Sequence, residues 1–153
     1  MDLRNRVMQE MKQAMKDKDA TRLSTVRLIN AAIKDQDIAL RGSGDDALVD
    51  DDAIMAILAK MIKQRQESAR VYEEGGRLDL AERELAEIEI VRDFLPRQLD
   101  EAEVDEAISK TIADLGATSL RDMGKVIGQL KQDYKGQMDF SKVGPMVKDR
   151  LSN

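Results

Sequence analysis

The sequence predicts an all-α protein, and three features lead to that prediction. Apolar residues recur every three to four positions over most of the 153 residues, and no stretch alternates apolar and polar residues long enough to indicate a strand. Only 3% of the residues are aromatic, while Ala, Leu, Glu, Lys and Gln, which favour helices, are abundant. The chain contains two prolines, so few positions interrupt a helix.

The first two helices precede a glycine-containing break. Residues 2–17 have the pattern of the first helix, and Asp19 is placed to cap the second. The segment RGSGDDALV, residues 41–49, then interrupts the helical pattern with two glycines. The inward-facing residues predicted for these helices are Leu3, Val7, Met11, Ala14, Val26, Ile29, Ile33 and Leu40.

Helices three and four are predicted to form a hairpin. Three aspartates, residues 50–52, suit the N-terminus of a long third helix because the helix dipole favours negative charge there. Gly75 and Gly76 end that helix, and the fourth helix continues to Pro96. The inward-facing residues predicted for this pair are Ile54, Ile57, Leu58, Met61, Ile62, Ala69, Tyr72, Ala81, Leu85, Ile88, Val91 and Leu95.

One charged residue lies in the apolar stripe of the third helix. On an ideal helical wheel Arg65 falls in line with Ile54 and Tyr72. If the chain folds back at Gly75–Gly76, Glu84 on the fourth helix comes within reach of the guanidinium. We therefore predict a partly buried Arg65–Glu84 ion pair that fixes the register of the hairpin. The alternative is that Arg65 lines a binding groove.

Pro96 marks the boundary between two predicted domains. Residues 1–96 form an N-terminal helical hairpin or bundle domain, and residues 97–153 form a small three-helix tail domain. The tail begins with a D-x-x-E variant of the capping box at Asp100–Glu103, and its last helix is expected, because of Pro145, either to start near Ser141 or to be irregular in its first turn. The inward-facing residues predicted for the tail are Val104, Ile108, Ile112, Leu115, Met123, Val126, Ile127, Leu130, Val143, Val147 and Leu151.

The amino-acid composition excludes several kinds of site. Without cysteine or histidine, the chain can form neither disulfides, nor Ser-His-Asp or Cys-His nucleophiles, nor the usual zinc and iron–sulfur sites. We expect no metal, no cofactor and no catalytic residue, because carboxylates on helix surfaces are normally solvated or paired within the helix. The charged start MDLRNRVMQEMK is unlike a signal peptide, and no apolar run approaches the roughly 20 residues that span a bilayer. We therefore expect a cytoplasmic protein without a membrane contact.

Charge is distributed unevenly along the chain. Residues 119–153 contain seven Lys or Arg and four Asp or Glu, a net charge of +3, whereas residues 1–118 contain 18 and 26, a net charge of −8. A locally basic end on an acidic protein indicates an anionic partner. The alternative is an ordinary solvated surface.

Two glycines occupy the interior of a tail helix, where each costs about 1 kcal/mol relative to alanine. Gly124 and Gly128 are followed by Lys131 and Lys135 along one flank of the apolar stripe. One explanation is close packing of another helix against the glycines. The other is a flat surface that a sugar–phosphate backbone can approach. The candidate RNA-binding residues are Gly124, Lys125, Gly128, Lys131, Lys135, Gly136, Lys142 and Lys148.

Three segments carry a resemblance to a known family. They read RLINAAIKDQDI, KMIKQRQESARVYEEGGRLDLAERELAEIEIVRDFLPRQL and DMGKVIGQLKQDYKGQMD. Together they resemble the YqeY-like family, whose domain is shared with the C-terminal part of GatB, a subunit of the bacterial tRNA-dependent amidotransferase. The resemblance implies an N-terminal helical domain followed by a three-helix tail, and a tail associated with gripping tRNA.

The resemblance also implies a functional label, a carbon–nitrogen ligase with glutamine as amido donor. It covers only the helical part of GatB, however, and the catalytic part has no counterpart in this sequence. We therefore expect a non-catalytic, tRNA-associated accessory module, with amidotransferase or aminoacyl-tRNA complex proteins as further candidate partners. The alternative is a helical protein-interaction adaptor that does not bind RNA.

Overall fold

The computed structural model describes residues 2–44 and 47–152. Within these ranges the chain forms seven α-helices and one 3-10 turn and contains no β-strand, which confirms the all-α prediction. No described helix combines the length and apolar character needed to cross a membrane. The helices are α1 (Leu3–Lys16), α2 (Ala20–Gly42), α3 (Asp51–Glu74), α4 (Leu78–Arg92), α5 (Glu101–Leu115), α6 (Met123–Asp133) and α7 (Phe140–Leu151).

The chain divides into two compact units. The N-terminal unit, Met1–Leu95, contains α1 to α4, and the tail unit, Pro96–Asn153, contains α5 to α7. The predicted break at residues 41–49 falls largely between α2 and α3, and Asp45 and Asp46 within it lie outside the described residues.

Aspartate side chains cap the first three helices of the N-terminal unit. Asp19 accepts a hydrogen bond from the backbone N–H of Arg22 at 3.1 Å, as predicted. Asp50 accepts one from the N–H of Ala53 at 2.9 Å. These carboxylates satisfy backbone donors that have no partner inside the helix, and thereby fix where α2 and α3 begin.

Four helices of the N-terminal unit share one apolar core. Leu85 does not belong to it: the side chain is 45% exposed, so its predicted inward position is wrong. The physical reason is angular, because Leu85 lies about 120° from Val91 around α4 and falls on the flank of the buried stripe. The most deeply buried core residues are Val7, Val26, Ile29, Ile33, Ile54, Leu58, Val91 and Phe94.

A buried carboxylate joins α1, α2 and the segment before α3. Asp37 is only 4% exposed and binds the Arg4 guanidinium through two bonds of 2.8 and 2.9 Å. It also accepts the backbone N–H of Val49 at 3.0 Å. Hydrogen bonding to Arg4, and then to the Val49 amide, holds the pKa of Asp37 below its ordinary value despite its burial. Helical periodicity does not predict this contact, because its partners lie 33 positions apart in the sequence.

The tail unit begins with the predicted capping box. Asp100 accepts the N–H of Glu103 at 2.8 Å, and Glu103 accepts the N–H of Asp100 at 3.2 Å. Arg97 binds the same Glu103 carboxylate through two bonds of 2.9 and 2.8 Å. The bond from Arg97, together with the backbone bond, lowers the pKa of Glu103 to about 2. Gly116 ends α5 in the left-handed region, with φ at 63°.

Three helices surround the core of the tail unit. The last of them begins at Phe140, one residue before the predicted start near Ser141, and Pro145 lies inside α7 rather than in an irregular first turn. Leu115, predicted to face inward, is 42% exposed at the end of α5. The buried core residues of this unit are Ala107, Ile108, Val126, Leu130, Met138, Val143, Val147 and Leu151.

Candidate nucleic-acid interface

A short 3-10 turn, Leu120–Asp122, leads into α6 and orients its exposed face. The Asp122 carboxylate accepts the backbone N–H groups of Thr118 at 3.0 Å and Ser119 at 3.4 Å. The Thr118 bond is the largest of the causes that lower the pKa of Asp122, and the positive charge of Lys125 acts in the same direction. The carboxylate therefore anchors the turn that precedes the glycines.

The two glycines of α6 face open space. Both Gly124 and Gly128 are exposed, and a methyl group built on either one would have no atom within 4 Å other than its immediate surroundings in the helix. In the described structure, therefore, no other helix of this chain packs closely against these glycines. The first explanation for the glycines is not what is observed. The backbone of α6 is accessible along this strip.

Cations border the open glycines. At about 100° per residue, Lys131 lies about 20° from Gly124 around α6, and Lys125 about 100° away on the other side. Both lysines are exposed. The ammonium of Lys131 also lies 6.0 Å from the ring centroid of Phe140, at the outer limit of a cation–π contact.

Arg121, which was not among the predicted RNA-binding residues, lies one turn before Gly124 and is exposed. Its position three residues before the first glycine was a signal that could have identified it. We call the α6 residues Gly124, Lys125, Gly128 and Lys131, together with Arg121 of the preceding 3-10 turn, the glycine face of α6.

Lys135 and Gly136 do not continue this face. The helix ends at Asp133, so Lys135 lies in the following turn rather than on the same flank one helical turn further along. Gly136 has φ at 72°, and its carbonyl accepts a bond from Gln98 at 2.6 Å. A glycine is required there by the backbone conformation, so close approach of a ligand is not needed to explain it.

The α7 lysines lie on different sides of their helix. Lys142 and Lys148 are both exposed and lie about 120° apart around α7, as far apart as Lys125 and Lys131 on α6, but Pro145 and Asp149 rather than open glycines occupy the arc between them. Arg150, at the end of the same helix, bonds to Asp105 and Ser109 of α5. The Arg150 guanidinium therefore holds α7 to α5 within the tail unit.

The predicted ion pair in the α3–α4 hairpin forms with a different partner. The Nε of Arg65 binds Glu87 at 3.0 Å, not Glu84, and the two side chains are 13% and 19% exposed. The Met61 carbonyl accepts a further bond from the guanidinium at 3.3 Å. The assignment to Glu84 was wrong because the observed partner, Glu87, lies as many positions after Gly76 as Arg65 lies before it, eleven, whereas Glu84 is only eight positions after it.

The described part of the chain holds no group of three or more acidic or other metal-ligating side chains positioned for a metal ion.

Residues 4–151 match the model of the family described as Yqey-like protein. The chain belongs to the YqeY-like family. Several relatives share the name altered inheritance of mitochondria protein 41, mitochondrial. The protein from Lachancea thermotolerans is 33% identical over 69% of this chain and 56% of its own length. The protein from Meyerozyma guilliermondii is 29% identical over 94% of this chain and 75% of its own.

The match therefore spans little more than half of the Lachancea protein. A relative from Pyrenophora tritici-repentis, 26% identical over 86% of this chain, has the same name. These names contradict the cytoplasmic location predicted from the sequence and point to mitochondria instead. Composition and the charged character of the first residues do not distinguish the two compartments, which is why that prediction was wrong.

Proposed function

We propose that this YqeY-like protein is a tRNA-associated accessory module and that its tail unit binds tRNA through the glycine face of α6. The observation that carries the proposal is the open space over Gly124 and Gly128. Gly124 lies in the first turn of α6 and Gly128 in its interior, where a glycine is less stable than an alanine, and no packing contact in the described chain compensates for this loss. Accessible backbone is useful where a ligand must approach closely.

The charges around this strip favour a phosphate backbone as the ligand. Arg121, Lys125 and Lys131 border the glycines, and none of them forms an ion pair in the described structure. The acidic residue near this face is Asp122, whose carboxylate is already bonded to two backbone amides. Lysine and arginine contacts to phosphates supply affinity and position without reading the base sequence.

We propose no catalytic step for the chain. The label of a glutamine-dependent carbon–nitrogen ligase belongs to the larger amidotransferase that shares this domain, and this chain lacks the histidine and cysteine used in nucleophilic triads. Its role would be to hold tRNA, alone or with an amidotransferase or aminoacyl-tRNA complex.

An electrophoretic shift with total tRNA tests the proposal. We expect binding at about 50 mM salt that weakens by at least tenfold at about 200 mM, because phosphate contacts release counterions. Double-stranded DNA of similar length serves as the competitor. Absence of a shift at the lower salt concentration would overturn the proposal.

A second candidate function is a helical protein-interaction adaptor. It is favoured by Leu120, which is 47% exposed one turn before Gly124 and adds apolar surface beside the open glycines. A partner helix can approach glycines as closely as a phosphate backbone can. Recovery of a protein partner without RNA in a pull-down, lost on substitution Leu120→Ser, would support this candidate over the first.

A further inference from the structure

The outer face of α2 carries a regular stripe of exposed residues. Arg27, Ala31, Lys34 and Ile38 follow one another at spacings of four, three and four residues, so they line up along the helix as in a coiled-coil seam. Ile38 is 62% exposed. Neither Arg27 nor Lys34 forms an ion pair in the described structure. This stripe lies on the side of α2 opposite its buried residues.

The flank of α4 carries a stripe with the same spacing and complementary chemistry. In reverse chain order, Glu89, Leu85, Glu82 and Leu78 are also four, three and four residues apart. Leu78 is 62% and Leu85 is 45% exposed. Glu82 has no ion-pair partner in the described structure, and the exposed Glu89 side chain is paired only with its helical neighbour Arg92 at 3.0 Å.

We propose that two copies of this chain associate by antiparallel packing of α2 of one copy against α4 of the other. When the two stripes are aligned residue by residue, the charged residues that face each other have opposite signs. Arg27 faces Glu89 and Lys34 faces Glu82, so each cation meets a carboxylate at the same level of the helix pair.

The apolar layers match in the same register. Ala31 faces Leu85, and Ile38 faces Leu78, which covers the three exposed large aliphatic side chains of the two stripes. A shift of one helix by a single layer would place charges against aliphatic groups and lose both kinds of contact. The four layers extend over about 16 Å of helix.

A second copy is the occupant that these observations favour, because the complementary stripe is present on the same chain. A sugar–phosphate backbone would pair with Arg27 and Lys34 but leave Ile38 uncovered.

Sedimentation velocity of the full chain tests the proposal by a charge exchange. From about 5 to about 500 µM protein at low salt, we expect reversible association. The substitutions Lys34→Glu and Glu82→Lys should each weaken it by about tenfold, because an attraction becomes a repulsion. The double variant should recover association to within about threefold of the wild type, since the exchanged charges again face each other.

Two control variants separate this contact from general charge or apolar effects. Lys60→Glu removes an exposed cation of α3, and Val71→Ser removes a side chain that is 54% exposed, and neither lies on a proposed stripe. Both should leave association unchanged, whereas Ile38→Ser should weaken it. A chain that stays monomeric at all concentrations would overturn the proposal. So would association that Lys34→Glu leaves unchanged, or whose loss the double variant does not reverse.

Discussion

At the residue scale, Asp37 is the charged group most deeply buried in the described chain. Its carboxylate connects α1, through Arg4, to the backbone of Val49. Replacing Asp37 with Asn should lower the free energy of unfolding by about 3 kcal/mol, because the guanidinium then loses its charged partner. Chemical denaturation measures this loss. Asp79→Asn, in an exposed pair with Arg77, is the matched control and should change stability by less than about 0.5 kcal/mol.

The pH dependence of that loss has a definite sign. The pKa of Asp37 is lowered in the folded protein. Its contribution to the free energy of unfolding is therefore complete at pH values above 3.8, the ordinary pKa of this carboxyl group. This contribution is lost as the pH falls through the lowered pKa that Asp37 has in the folded protein. The difference in unfolding free energy between wild type and Asp37→Asn should therefore be constant near neutral pH and shrink below about pH 4. A difference that grows on acidification would contradict this explanation.

The corrected ion pair in the hairpin gives a second prediction at this scale. Glu87→Ala should destabilise the chain by about 2 kcal/mol, because it leaves the mostly buried Arg65 without a carboxylate. Glu84→Ala should cost less than about 0.5 kcal/mol. Thermal melts of the two variants decide between them, and a larger shift for Glu84→Ala would restore the original assignment.

The ion-pair partner of a charged residue was harder to predict from the sequence than whether a residue is buried. Arg65 lies in an apolar stripe, so its guanidinium was expected to pair with a carboxylate, and it does. Two glutamates of α4, Glu84 and Glu87, were candidates for that carboxylate, and they lie one turn apart on adjoining sides of the helix. To choose between the two glutamates, one must know which residue of α4 lies opposite Arg65 in the hairpin. The Arg4–Asp37 contact spans 33 positions and depends on how α1 crosses α2, which helical periodicity does not determine.

At the scale of the element, the glycine face of α6 predicts a specific salt dependence. Replacing Lys125 and Lys131 together with Gln should weaken tRNA binding and lower the slope of log affinity against log salt by up to about two units. Titrations at several salt concentrations measure the slope. Lys60 and Lys110, exposed on α3 and α5, provide a control pair for which the slope should not change.

Helix periodicity predicted the apolar side of α6 but not its length. Val126 and Leu130 are fully buried as expected. The helix nevertheless ends two residues before Lys135, because the chain turns at Gly136 to pair with the segment after Pro96, where Leu99 donates to Gln137 at 2.9 Å. That contact joins positions 38 residues apart, so it could not be read from local sequence.

At the scale of the whole molecule, the two compact units predict independent folding. Fragments 1–95 and 96–153 should each be helical, and their summed circular dichroism spectra should match that of the full chain. The tail fragment is small, so its melting temperature is expected to be the lower of the two. A tail fragment that is unfolded at 25 °C in the absence of a ligand would contradict the prediction.

The family and the helical architecture could be predicted from the sequence, whereas the location could not. Apolar spacing and caps such as Asp19 and Asp100 depend on local chemistry that each segment carries by itself. The candidate RNA-binding residues were only partly brought together. Those within α6, from Gly124 to Lys131, lie on or beside the open glycines, while Lys142 and Lys148 lie on a second helix, α7, whose position relative to α6 depends on tertiary packing.

The most direct test of the central claim is the tRNA affinity of the variant Gly124→Ala/Gly128→Ala. Both added methyl groups enter open space, and alanine favours the helix by up to about 1 kcal/mol at each position, so the melting temperature should rise. If the glycines admit a phosphate backbone, the same variant should bind tRNA at least tenfold more weakly. Gly42→Ala, with equally open surroundings in the N-terminal unit, should leave affinity unchanged. A stabilised double variant that binds tRNA as tightly as the wild type would contradict the account.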